Sequence, residues 1–135
     1  MVDALRNAWK VLRPRGHLVD VRPVAAYRPS IAVRRGRKRL AVGPIRRDPD
    51  LDVMAASRAS RQVLREGIFT KTHAETVRWT ASHADLSDVE STLADSESWH
   101  LPAATRRRIA RIWQPGDRIE IGRRLTLTVL RRRER

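Results

Sequence analysis

The chain has 135 residues and a net charge of +14, from 29 Lys and Arg against 15 Asp and Glu. That length admits one small domain, and a hydrophobic fraction of 41% can build a core, which excludes wholesale disorder. The absence of cysteine excludes disulfides and thiolate metal sites, and no apolar run approaches the ~18 residues of a membrane span. Acidic Asp3 in an amphipathic N-terminal segment is unlike a secretory signal, so the cytoplasm is the expected location.

Leu5, Ala8, Trp9 and Leu12 recur at the i, i+3, i+4, i+7 spacing of an amphipathic helix. Pro14 and Gly16 stop that helix and turn the chain. His17 to Val21 reads as a short buried strand ended by Pro23, and residues 24–30, with Tyr27 and Pro29, read as a loop. Two apolar runs flank Gly36 in residues 31–42, which predicts a β-hairpin. Arg34, Arg35, Arg37, Lys38 and Arg39 crowd its turn.

Asp48 is the expected N-cap of the next helix, with Pro49 at its first position. Val53, Ala56, Ser60, Val63 and Leu64 form its inward stripe, and Gly67 ends it. Residues 68–82 predict one long strand, rich in β-branched and aromatic side chains. Asp85 or Ser87 caps a short helix through Asp95, with Leu86, Val89 and Leu93 inward. Pro102 starts another helix through Trp113; Thr105, Ile109, Ile112 and Trp113 face in, and Arg106, Arg107, Arg108 and Arg111 face out. Residues 118–130 predict a closing strand with a bulge at Gly122, followed by a frayed basic tail over 131–135. The expected fold is α/β: a small mixed sheet of about three main strands plus a β-hairpin, with packed helices, in one half-domain over 1–130.

The segment Trp9-Lys-Val-Leu-Arg-Pro-Arg-Gly16 and the apolar strand after it resemble a signature of class I S-adenosylmethionine-dependent methyltransferases. In that family the signature is the helix before the fifth strand and the strand itself; here Arg15 replaces the first glycine of the turn. The stretches 63–69, 86–90, 99–102 and 125–132 look similar to the C-terminal part of one bacterial methyltransferase-like group. The resemblance covers nearly the whole chain but only the back half of the Rossmann-like family fold. It implies a fifth strand flanked by the fourth on one side and by the antiparallel seventh on the other.

The resemblance also implies what is missing. The family's cofactor lies on a glycine-rich turn, where a Cβ would clash with the ligand. The six glycines here, at 16, 36, 43, 67, 116 and 122, are isolated, and no G-x-G occurs. The expectation is a half-domain that is not catalytic alone and holds no cofactor by itself. S-adenosylmethionine enters only if a partner supplies the other half. The strand 17–21 should then present an open edge that pairs with a second copy, with the chain's own N-terminal segment, or with a partner chain that supplies the missing half. A fragment of a longer reading frame is the plainer alternative.

Asp20, Arg22 and Tyr27 are the candidate acceptor-side rim, because open α/β sheets bind ligands beyond the carboxyl ends of their strands. Their ordinary explanation is a salt bridge between Asp20 and Arg22. The competing function is nucleic-acid or ribosome association through Arg34, Arg35, Arg37, Lys38 and Arg39 with Arg107 and Arg111. A solvated hairpin tip and general replacement of Lys by Arg are the ordinary explanations there; Lys stands only at 10, 38 and 71. The four histidines lack helical metal-ligand spacing, and His73 with Glu75 is an acid/base pair only in principle.

Overall fold

In the computed structural model, which describes residues 1–96 and 98–134, the chain is α/β. Its elements run α1 (Val2–Val11), β1 (His17–Pro23), β2 (Ser30–Arg35), β3 (Lys38–Pro44) and β4 (Arg46–Arg47). They continue α2 (Leu51–Arg65), β5 (Phe69–His83), α3 (Leu86–Ala94), β6 (Trp99–His100), α4 (Ala103–Ile112) and β7 (Arg118–Arg132). The chain gathers into two compact units. The first holds residues 1–25, 50–77 and the stretch from Arg124; the second holds 26–49 and 78–123. β5 and β7 contribute residues to both.

In the first unit, β1 lies antiparallel to β7, with His17 opposite Arg131 and Pro23 opposite Leu125. β7 also pairs with β5, and Thr72 Oγ1 of β5 donates to Val129 O (3.2 Å). Val129 is the residue opposite Val19, so β1 and β5 take opposite edges of β7 there. The core is Val63, Ile68, Phe69 and Leu130, against which Leu5, Trp9 and Leu12 of the α1 stripe pack. Arg6 forks onto Glu66 (2.6 and 3.2 Å) and ties α1 to α2. Arg132 closes the end of α1, donating to Leu12 O and stacking 4.6 Å from the Trp9 ring centre. Arg131 and Arg132 therefore belong to the strand, where a tail was expected; Arg135 lies outside the described residues.

In the second unit, β2 and β3 form the expected hairpin, turning at Gly36 with φ 56°. Residues Ile31–Arg34 of β2 pair antiparallel with Ile121–Arg118 of β7. Ile31, Val33, Val42, Ile45, Val89, Leu93, Ile109, Ile119 and Ile121 make its core. The β2–β3 ladder has an irregularity between Ile31 and Ala32. A Cβ at Gly122 would stand 2.6 Å from the Tyr27 hydroxyl, which is a reason for glycine there.

The cap of α2 is Asp50, not Asp48: its side chain accepts from Val53 N (2.9 Å). Asp48 is held elsewhere in the second unit, with its N–H on Ser98 O (2.7 Å) and its carboxylate on His100 (2.7 Å). Every ladder with a defined register is antiparallel.

Candidate functional site

A strand's side chains alternate between its two faces, and β1 uses the two faces differently. Leu18, Asp20 and Arg22 are half-buried; His17, Val19, Val21 and Pro23 are exposed. Asp20 and Arg22 reach α2. Arg22 pairs with Asp20 (2.6 Å) and donates to Ser57 (3.0 Å) and Ser60 (3.1 Å), while Ser60 donates to Asp20 (3.2 Å). Two of the three expected rim residues are therefore partners in a half-buried network. Tyr27, the third, belongs to the second unit and lies over Gly122.

The outward face is apolar. Directly opposed residues share a face, so Val19 with Val129, Val21 with Leu127 and Pro23 with Leu125 form one continuous patch. Val19 is 56% exposed and Val21 51%, where the sequence suggests a strand buried on both sides. Among the described residues β1 pairs with β7 alone, so its other edge carries a row of unpaired N–H and C=O groups. His17 and Arg131 stand opposite each other at one end of the patch.

The basic clusters divide. Arg34 forks onto Glu120 (2.8 and 3.2 Å), and Arg39 approaches the same carboxylate (3.7 Å). Arg35 binds Asp117 (2.7 Å) and Ile112 O (2.7 Å), pinning the end of α4 to the hairpin. These arginines build the second unit. Arg37 and Lys38 are exposed at the turn, and Arg107, Arg108 and Arg111 are exposed on α4. Arg106 pairs with Glu90.

The Arg35 hydrogen bond, with a bond from Gln114 N, holds the Asp117 carboxyl below its ordinary value despite burial. A depressed carboxylate stabilises the fold above its unfolded value, near 3.9, and loses that effect as pH falls through its folded value. Thermal melts should therefore be flat from neutral pH down to about pH 4 in this respect and fall below it. Asp117→Asn should lower the neutral-pH melting temperature and remove part of the acid-side slope; an unaltered slope would show that the carboxylate is idle.

Sequence spacing missed two clusters. Asp48 and His100, 52 positions apart, meet at 2.7 Å across the β4–β6 ladder. Arg123 and Arg47 lie 4.2 and 5.7 Å from the Trp99 ring centre. Burial, with Arg47 nearby, lowers the Arg123 pKa, while Tyr27 opposes that shift. His73–Glu75 (3.6 Å) and His83–Asp88 (3.5 Å) are further pairs. Among the described residues no group of three His, Cys, Asp or Glu side chains could hold a metal.

No helix among the described residues is long and apolar enough to cross a membrane. No family model matches the sequence, and no curated protein or solved structure matches it. The geometry of the site stands by itself.

Proposed function

We propose that the chain is a methyltransferase-like half-domain that works as an interaction module, docking a cofactor-binding half on the open edge and apolar face of β1. The observation that carries this reading is the pairing of β1. It runs antiparallel to the closing strand β7 on one side and is open on the other. That is the neighbourhood the resemblance gives a fifth strand once its fourth strand is taken away. Strands of doubly wound sheets are apolar on both faces because helices cover both. Val19 and Val21 give β1 one such apolar face without that cover, while Asp20 and Arg22 stand on the other.

An incoming strand would satisfy the edge through main-chain hydrogen bonds, and a helix following it would cover the valines. The acceptor-side role of Asp20 and Arg22 becomes support: they hold β1 on α2. The engagement of Arg34 and Arg35 in ion pairs weighs against the nucleic-acid reading of the hairpin.

Co-expression with the first four strands of a class I methyltransferase tests the reading. A one-to-one complex by light scattering is expected, with S-adenosylmethionine binding by the complex and none by this chain alone. Val19→Asp with Val21→Asp should abolish the complex while leaving the circular dichroism unchanged. Self-association only, or a complex indifferent to both aspartates, contradicts the proposal.

A further inference from the structure

The turn between α1 and β1 holds an arginine where the backbone favours glycine. Gly16 N donates to Arg13 O (2.8 Å), closing a four-residue turn with Pro14 second and Arg15 third. Arg15 has φ 61°, the one positive value of a non-glycine residue among the described residues. Proline second and positive φ third is the type II pattern, whose third position goes to Gly or Asn because a Cβ crowds the backbone there. Strain of this kind persists where the surroundings hold it, often where the side chain is used.

Arg15 lines an open surface pocket of about 450 Å³, together with Thr70, Arg131, Arg132, Arg133 and Glu134. Arg132 is committed to Leu12 O and the Trp9 ring. The backbone on either side is fixed: Arg132 N donates to Gly16 O (2.8 Å) and Arg133 N to Ile68 O (3.0 Å). Arg15, Arg131 and Arg133 line this opening together with Thr70. Among the described residues that line it the one carboxylate is Glu134, which pairs with Arg15 (3.1 Å).

We propose that this opening is a phosphate-binding site, with Glu134 as a tethered competitor for the anion. Guanidinium forks match phosphate oxygens two at a time, and a phosphate carries more charge and more acceptors than the carboxylate it displaces. Arg15 and Arg131 are the principal donors, and the Thr70 hydroxyl supplies a neutral one. The phosphate comes from a free diphosphate compound or from a nucleic-acid backbone. This site does not depend on the docking role of β1.

The test titrates the full chain with inorganic pyrophosphate by calorimetry and with a short single-stranded RNA by fluorescence anisotropy. Arg15→Gly should weaken binding at least about tenfold, the loss of one or two charged hydrogen bonds. The same substitution should leave the melting temperature equal or raise it by about 2–4 °C, because glycine relieves the left-handed strain. Glu134→Gln should tighten binding. RNA binding that depends on Arg15 and is not displaced by pyrophosphate assigns the backbone as source; the reverse assigns a free diphosphate. Binding of neither probe at low salt, or binding of both unaltered in Arg15→Gly, overturns the proposal.

Discussion

Phe69→Ala should cost about 3–5 kcal/mol, the loss expected when a fully buried aromatic ring leaves a cavity. Phe69 is 2% exposed, and among the described residues Val63, Ile68 and Leu130 share its buried cluster. Small domains have about 5–15 kcal/mol of stability in total, so the first unit should lose a large part of its own. The neighbours cannot collapse into the gap, because Arg133 N on Ile68 O and the β1–β7 ladder fix the backbone around it. Urea unfolding followed by circular dichroism reads the loss. Phe69→Leu, which keeps most of the volume, should cost far less. A loss below about 1 kcal/mol for the alanine variant would mean that the ring is not packed as described.

Asp20→Ala should cost about 2 kcal/mol, less than for a fully buried ion pair because the Asp20 and Arg22 side chains keep 16% and 19% of their surface. The cost comes from what remains. Arg22 would face Ser57 and Ser60, which can accept hydrogen bonds but carry no charge. Removing both charges together, as Asp20→Leu with Arg22→Met, should recover much of the loss, because no unpaired ion is left. This pair of measurements separates support from ligand binding. A rim residue held for a ligand would leave the unliganded chain almost as stable without it.

Legibility in the sequence followed the range of the interaction. The α1 stripe, the hairpin around Gly36, and the inward Val89, Leu93, Thr105 and Ile109 are local patterns, and each is found as its spacing suggests. The cap of α2 moved by two residues because Asp48 has a stronger use against His100, 52 positions away, and no local signal announces that. The two-residue ladder of β4 and β6 is too short to leave a period. Val19 and Val21 look like buried residues in sequence, since composition records what a strand is suited to and not what covers it. Arg15 was legible as a departure from a glycine turn, but the left-handed backbone that gives the departure its meaning is visible only in three dimensions.

Hydrogen exchange along residues 17–23 tests the docking role of β1 most directly. In the chain alone, the β1 amides that point away from β7 should exchange fast, while those of Ile31–Val33, buried in the second unit, stay slow. In complex with a cofactor-binding half, the β1 amides should slow by at least about tenfold and those of Ile31–Val33 should not change. Slow exchange throughout 17–23 in the monomeric chain, or exchange there that the complex leaves unaltered, would contradict the proposal.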